Sequence, residues 1–495
     1  MPPDVPVAIA GAGPVGLALA LGLARLGVRS VILEKAPGLP PHARAGGIWP
    51  RTLEILHGWQ ALDAIKREGV VQPTLAFTDA NSGTTLVRLD FRPLAAETLE
   101  PFPVFIPQDR TEALLLAALE PTGMCDVRFN HPVVGLTQDS DGVDVRVLGD
   151  DGAETSLRAA YVVGADGGHS AVRAALGLKL DGETYPMRAM LADVLIDDAR
   201  NDLPWPRASF KGEFGFAIAI RFGKGLWRLI HPVAPTETDE AATAPELIAE
   251  LVRVLLGPGP FKTDWVSTFN IHRRLAREFT VGRVMLAGDA AHLNSPAGGQ
   301  GMNFGIGDAQ NLAWKLAAAL DGADGAALMR SYDVERRSMF VANVEKNTDR
   351  ITRLVILTPT KVRPYILRIV GLLTRLPVLR GKLRRTAAMI NLRYRTSPLI
   401  SGSGPFLGAR APDPVLACGG PATLVFAGMP KAIVDAAAAV LKLPARTLEA
   451  ADAKRWRMRG PFGALVRPDG HVGWMAGQPS ADEIDRGVRQ ALAMR

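Results

Sequence analysis

A strand that must turn sharply into a helix opens this chain. Val7-Ala8-Ile9-Ala10 is a short apolar run, Gly11-Ala12-Gly13-Pro14-Val15-Gly16 follows, and Leu17 to Leu26 carries apolar residues at helical spacing. Gly27 ends the helix, Ser30-Val31-Ile32-Leu33 is a second strand, and Glu34 closes it 18 residues beyond Gly16. Strand, G-x-G-x-x-G, helix, strand and acid within about 30 residues make a dinucleotide-binding unit. The glycines permit the tight turn, the close approach of backbone to a pyrophosphate and the packing of helix on strand; the helix N-terminus then faces the phosphates. An acid at the position of Glu34 accepts hydrogen bonds from the adenosine ribose. Val5 to Ala24 is also a run of 20 uncharged residues, the length of a membrane span. A spanning helix, however, needs neither glycines at this spacing nor the acid. The unit alone leaves NAD and FAD both open.

The 495 residues predict two to four domains, and 47% hydrophobic with 22% charged residues exclude a disordered chain. Cys125 and Cys418 are the only cysteines, far apart and in no metal-ligand spacing. That excludes a disulfide scaffold and, with a start at Met1-Pro2-Pro3-Asp4 that has no cationic leader, leads to the expectation of a cytoplasmic protein. The net charge of +7 is unevenly placed. Thirteen of the 57 Lys and Arg, and none of the 50 Asp and Glu, fall between Arg350 and Pro412, so the rest of the chain is net acidic. Within that basic segment, Ile351, Leu354, Val355, Ile366, Ile369, Val370 and Leu373 stand at helical spacing, and Pro359, Pro364 and Pro377 break it into short helices. Solvated helices joining two domains are the reading favoured; helices resting on an anionic membrane surface are the alternative. No stacking aromatics interleave the run, which argues against a nucleic-acid partner.

Two further stretches narrow the ligand. Tyr161-Val162-Val163-Gly164-Ala165-Asp166-Gly167-Gly168-His169-Ser170 is a strand entering a Gly/Asp turn, followed by a short helix with Arg173. Gly282 to Asp289 is a strand ending on an acid; Pro296-Ala297-Gly298-Gly299-Gln300-Gly301-Met302-Asn303 then leads into a long Ala/Leu helix from Phe304 to Leu320. Asp289 at a strand's C-terminal end is placed to hold a polyol hydroxyl. The glycine loop at a helix N-terminus stabilises negative charge on a flat ligand edge, as a reduced flavin carries.

On these residues the sequence resembles the class A FAD-dependent aromatic hydroxylases, the family of para-hydroxybenzoate, phenol and polyketide hydroxylases. Their three signatures stand in order: GAGPVG; GADG-x-x-S-x-VR; and GRV-x-LAGDAAH with P-x-GGQGMN-x-G-x-x-DA-x-NLAWKL, from Gly282 to Leu316. The resemblance implies that Gly11, Gly13 and Gly16, with Pro14 and Val15 in the same turn, meet the pyrophosphate, and that Glu34, followed by Lys35, meets the adenosine ribose. It implies that Arg44 contacts FAD near the nicotinamide cofactor, that Gln108 lies near the ribityl chain, and that Asp166 and Gly167 serve FAD and NADPH. Asp289 would bind the ribityl chain, Gly298, Gly299, Gln300, Gly301, Met302 and Asn303 would lie along the isoalloxazine ring, and Pro296 would stand near its reactive face. His292 and Arg173 are read as structural, and Arg51 has no assigned chemistry.

The activity implied is oxygenation of a phenolic or polyketide-type aromatic ring. NADPH, or NADH, reduces FAD, O₂ adds to give a flavin hydroperoxide, and one oxygen passes to the ring. Epoxidation or Baeyer–Villiger insertion uses the same motifs, and a non-catalytic, membrane-associated FAD protein is the alternative of another class. A flavin halogenase would carry a W-x-W-x-I-P run, which Trp205-Pro206 does not match. No general base stands out, so no catalytic side chain is assigned, and no metal is expected. The expected partners are a small aromatic molecule and O₂, at most a weak membrane-surface contact, and a monomer or homodimer.

The expected fold is α/β: a Rossmann-like FAD-binding domain (1–73, 104–182 and 281–350) interleaved with an antiparallel substrate sheet (74–103 and 183–280). A basic helical connector (351–404) and a thioredoxin-like domain (405–495) follow. Phe214 to Ile220 and Leu226 to Ile230 read as a hairpin around Gly223-Lys224-Gly225, and Phe210, Phe214, Phe216 and Trp227 are candidate chamber walls, although core packing explains each of them as well. Ser401-Gly402-Ser403-Gly404-Pro405 reads as a linker. Beyond it, a strand, an Ala-rich helix, a hairpin turned at Pro468-Asp469-Gly470 and a last helix give β-α-β-β-α, resembling the C-terminal domain of the phenol and polyketide hydroxylase branch. With one cysteine, Cys418, and no C-x-x-C, a structural or oligomer-forming role is expected of it.

Overall fold

In the computed structural model, the fingerprint strand Val5–Ala10 lies inside an eight-stranded sheet, parallel to Ser30–Leu33 on one side and Glu154–Gly164 on the other. The structure describes residues 3–42, 45–149, 152–210, 216–296, 298–345, 349 and 362–494. Val284–Leu286 runs parallel to Glu154–Gly164, so the strands leading into all three motifs are neighbours and end at the same edge. Ligands of open parallel sheets bind outside the carboxyl ends of the strands. Burial on both faces explains why Val7-Ala8-Ile9-Ala10 and Val162-Val163 read as continuous apolar runs. The helices Pro14–Arg25 and Gly301–Leu320 pack together against this sheet.

The second sheet is built on two long antiparallel strands, Leu180–Leu195 and Lys262–Ala276. The hairpin expected around Gly223 is present, Ala217–Arg221 pairing with Leu226–Val233. Thr74–Asp79 and Thr85–Asp90 join the far edge through parallel pairing with Arg207–Ser209. Helix Pro245–Leu256 covers one face of this sheet, burying Ile248, Leu251 and Leu255 against Met190, Val194 and Trp227. By strand alternation, Asp193 and Arg228 lie on the opposite face.

The connector contributes helices Arg363–Leu373 and Pro377–Ala387; residues 350–361, with Ile351, Leu354, Val355 and Pro359, lie outside the described residues. Pro364 and Pro377 stand in the first turns of these two helices, a place where a missing N–H costs nothing. The second helix is tied down by Arg385 to Glu97 at 2.8 Å and Arg384 to the Asp90 carbonyl at 3.1 Å.

The C-terminal sheet has the order Ser401–Gly402, Val472–Gly477, Phe462–Val466, Thr423–Ala427 and Ala445–Thr447. Helix Lys431–Leu441 joins the parallel pair Thr423–Ala427 and Ala445–Thr447, and the antiparallel hairpin and helix Ala481–Leu492 complete the thioredoxin-like order. Ser480 and Glu483 form a reciprocal capping box at that last helix. Two expectations change. The expected linker supplies an edge strand: Gly402 has φ +92°, and a Cβ there would sit 2.1 Å from the Met475 carbonyl oxygen, so its glycine serves close approach, not flexibility. Ala445–Thr447 is an additional strand, too short to show a period of two.

Candidate functional site

The three motifs touch one another. Gly11 has φ +103°, and a Cβ on it would lie 2.5 Å from the Ala165 carbonyl oxygen of the second motif. A Cβ on Gly16 would lie 2.0 Å from the Gly11 carbonyl oxygen, while Gly13 faces open space. Helix Pro14–Arg25 starts at Gly13 with no side-chain cap, leaving its first amides to a phosphate. This open turn and its uncapped helix fit a dinucleotide's pyrophosphate. Val15 is the contact for the third motif: Cβ atoms on Gly288 and Gly305 would come within 2.9 and 2.6 Å of its Cγ2.

Glu34 accepts hydrogen bonds from the backbone of Ala12 at 2.7 Å and Ala36 at 2.8 Å, so the acid shapes the glycine turn itself; Lys35 beside it is exposed. Asp166 Oδ2 caps the short helix Ala171–Ala175 through the amides of Ala171 and Val172, at 2.7 and 3.1 Å. Its Oδ1 is buried without a hydrogen-bond partner, beside Gly167 at φ +77°. Arg173 spans the second and third motifs, donating to the carbonyls of Gly168 at 2.7 Å and Ala290 at 3.0 Å, a structural clamp as expected.

Asp289 is exposed in the turn Gly288–Ala290 that ends the third motif strand. The turn is fixed from behind by buried Asp308, which accepts from the Gly288 amide at 3.0 Å and contacts His292 Nε2 at 2.8 Å and Arg336 Nε at 2.7 Å. Burial opposes its charge, yet Arg336 and His292 hold Asp308 below the usual carboxylate range. His292 is thus structural.

Pro296 is exposed, Ala297 lies outside the described residues, and Gly298 and Gly299 take φ of +90° and +60°. Both glycine carbonyls accept the indole N–H of Trp49, at 3.0 and 3.1 Å. Asn303 completes a bracket: its Oδ1 accepts from the Trp49 amide at 2.8 Å, and its Nδ2 donates to Gly47 and Gly299 carbonyls at 2.7 and 2.9 Å. Gln300, Met302 and Asn303 are buried, and helix Gly301–Leu320 also begins without a side-chain cap. Trp49 escaped the sequence reading because it belongs to no motif; only its place just before Pro50 set it apart.

Gln108 opens helix Gln108–Leu119 and is held from both ends of its amide: Oε1 accepts from Ala45 at 3.2 Å, and Nε2 donates to Glu112 at 2.8 Å. Arg44, next to Ala45, lies outside the described residues. Glu112, one helical turn on, was missed. It is buried with Oε2 unpartnered, and burial pushes its pKa up to about 7 against the pull of the Gln108 amide. The folded chain therefore keeps a proton that the unfolded chain releases near the ordinary value of 4.5. This carboxyl's contribution to stability is fully present below 4.5 and is lost as pH rises to about 7. Glu112→Gln should remove that loss, so its melting temperature should exceed the parent's at about pH 8 and converge with it below about pH 5. Calorimetric melts showing one constant difference across that range would contradict the assignment.

Of the candidate walls, Phe210 and Phe216 meet at a tilt, 5.8 Å between ring centres, and pack with Leu86 and Leu367. Trp227 is fully buried under helix Pro245–Leu256, its indole N–H bonded to Asn201 at 3.0 Å. Core packing accounts for all three; Phe214 lies outside the described residues. The other face of the same strand holds what the pattern hid. Buried Arg228 makes two 2.7 Å bonds to Asp193 and stands 4.9 Å from the Phe222 ring centre and 5.6 Å from that of Trp265. Phe222 in turn covers Gly46, where a Cβ would meet its ring at 2.1 Å, and His42 stacks on Trp265. This aromatic and ion-paired patch adjoins the loop that leads to Trp49. Among the described residues, no cluster of His, Cys, Asp and Glu could hold a metal ion.

Known proteins agree with this geometry. The model of the FAD binding domain family matches residues 4–348. The 3-(3-hydroxy-phenyl)propionate/3-hydroxycinnamic acid hydroxylase of Mycolicibacterium smegmatis is 35% identical over 73% of this chain and 63% of its own length. The anhydrotetracycline monooxygenase of Streptomyces rimosus is 31% identical over 95% of both chains. Among solved structures, the anhydrotetracycline hydroxylase of Streptomyces rimosus aligns with TM-score 0.79 at 28% identity over 99% of both chains. A ternary complex of aklavinone-11 hydroxylase with FAD and aklavinone aligns with TM-score 0.82 at 27% identity, also over 99% of both. With three touching motifs around an open glycine turn, a family model matched over residues 4–348 and a 31% identical relative matched over 95% of both chains, the chain belongs to the family of class A FAD-dependent aromatic hydroxylases.

Proposed function

We propose that this monooxygenase hydroxylates a multi-ring phenolic aromatic of polyketide type with NADPH, or NADH, as reductant. The observation that carries this reading is the match over 95% of both chains, C-terminal domain included, to a monooxygenase of anhydrotetracycline. Bound FAD supplies the redox chemistry and the activation of oxygen. The chain's own part is binding, orientation and exclusion of water. In this reading Gly11, whose amide is bonded to the Leu33 carbonyl, makes the tight turn, the amides of Gly13 and Gly16 hold the pyrophosphate, and Glu34 takes the adenosine ribose while bracing the turn. Gln108 and Asp289 bind the ribityl hydroxyls, and the buried Oδ1 of Asp166 accepts from the cofactor. The uncapped amides at Gly301 to Asn303 stabilise negative charge on the flavin edge, the loop being held by Trp49 and Asn303. Half-buried Trp265, backed by buried Phe222 and the Arg228–Asp193 pair, offers an aromatic face to a flat phenolic substrate.

Purified enzyme should be yellow, and its oxidation of NADPH should quicken when a phenolic polycycle is added, yielding a product heavier by one oxygen. FAD-loaded protein that oxidises neither NADPH nor NADH with any phenol or polycycle would overturn the reading. An oxygen inserted into a ring bond or across a double bond would reassign the reaction to a Baeyer–Villiger enzyme or an epoxidase.

A further inference from the structure

The outer face of the connector helix Arg363–Leu373 is apolar and faces solvent. Tyr365 is 64% exposed and Ile369 and Leu372 56%, at helical spacing along one side with Leu373 beside them, and Leu376 at 54% and Val378 at 82% follow where the chain turns into the next helix. The inner side of the same helix is fully used. Leu367 packs with Leu86, Phe210 and Phe216, and Gly371 lies so close to strand Thr85–Asp90 that a Cβ would stand 2.0 Å from the Leu86 carbonyl oxygen. The outward side chains are therefore surplus to packing. Isolated exposed apolar residues are ordinary, but a contiguous row marks an interaction site.

Charge identifies the occupant. Exposed Arg368, Arg375, Arg380 and Lys382 surround the row, none of them in an ion pair among the described residues, and no acid occurs between Arg350 and Pro412. A second copy of this chain docked by two-fold symmetry would set these cations against themselves. A surface of anionic lipid headgroups neutralises them while its acyl boundary accepts the apolar row. No described helix is long and apolar enough to cross a membrane, so the contact is in the plane of the interface. We propose that Tyr365, Ile369, Leu372, Leu373, Leu376 and Val378, with Arg368, Arg375, Arg380 and Lys382, form a docking face for an anionic lipid bilayer. Through Leu367, this face lies one side chain from the sheet that carries Phe210 and Phe216.

The full-length FAD-bound enzyme tests this by flotation with vesicles of phosphatidylcholine alone and of phosphatidylcholine mixed with phosphatidylglycerol. Two triple variants accompany it, R375E/R380E/K382E and I369S/L372S/L373S, with FAD content and thermal midpoint as checks of folding. The parent should float with phosphatidylglycerol vesicles only, and each variant or added salt should weaken that binding by more than about tenfold. A parent that stays unbound, or variants that float like the parent, would overturn the proposal. So would a lipid-indifferent parent dimer that I369S/L372S/L373S converts to monomer, which would assign the face to a second copy.

Discussion

Glu335→Ala should be among the most damaging single changes in this protein, lowering stability by about 3–5 kcal/mol, the cost of breaking a buried ion pair from one side. Glu335 is completely buried and receives Lys315 at 2.8 Å, both terminal nitrogens of Arg467 at 2.6 and 3.0 Å, and the Asn311 amide at 2.8 Å. Despite the burial, Arg467 and Lys315 keep its carboxyl well below the ordinary range, while burial presses the Lys315 amine down to about 8. Removing Glu335 leaves two interior cations facing Asp469 alone. Urea unfolding should show a large drop in midpoint, and Lys315→Met added to Glu335→Ala should recover part of it by removing one stranded charge. An unfolding free energy for Glu335→Ala within about 0.5 kcal/mol of the parent's, the range of neutral surface changes, would disprove the network's importance.

Gly16→Ala and Gly13→Ala should separate fold from cofactor. The added methyl at residue 16 would sit 2.0 Å from a backbone carbonyl oxygen, a clash no rotamer relieves, so the turn must deform and FAD should be lost outright. At residue 13 the methyl points into open space, so that variant should melt like the parent. It should still bind FAD roughly tenfold or more weakly, because one displaced phosphate–amide hydrogen bond costs about 1.5–3 kcal/mol. Flavin release and fluorescence titration measure both. A Gly13→Ala protein with parental FAD affinity would show that the pyrophosphate does not pass over this turn.

The legible parts of the fold were those with a local steric requirement. Gly11 and Gly16 must be glycine because of backbone within the same or the adjoining motif, and parallel strands buried on both faces announce themselves as apolar runs. The thioredoxin-like order was readable because Pro468-Asp469-Gly470 marks its hairpin. What stayed hidden depends on distant partners. Trp49 matters through Asn303, 254 positions away, and Arg51, unassigned from sequence, is buried where it donates to Glu54, Gln310 and the carbonyls of Ala417 and Asp469. Arg228 was masked by the same alternation that exposed Trp227: one side of a strand draws the eye, and the chemistry can lie on the other. Ser401 to Pro405 misled because a glycine needed for tight contact looks the same in sequence as one needed for freedom.

Trp49 and Arg51 stand two residues apart at the start of helix Pro50–Gly58. The first grips the glycine loop around Gly298 and Gly299; the second grips the C-terminal sheet, alongside Arg410, which chelates Glu54 with a 2.8 Å bond among its contacts. The C-terminal part, lacking any cysteine pair for redox work, is thereby tied to the glycine loop through the first turn of one helix. It is not a detachable module. A chimera that imports this part from a relative inherits a working loop only if it also brings partners for Arg51, Glu54, Lys315 and Glu335, and interchange among these enzymes is governed by that electrostatic seam more than by the length of the joint.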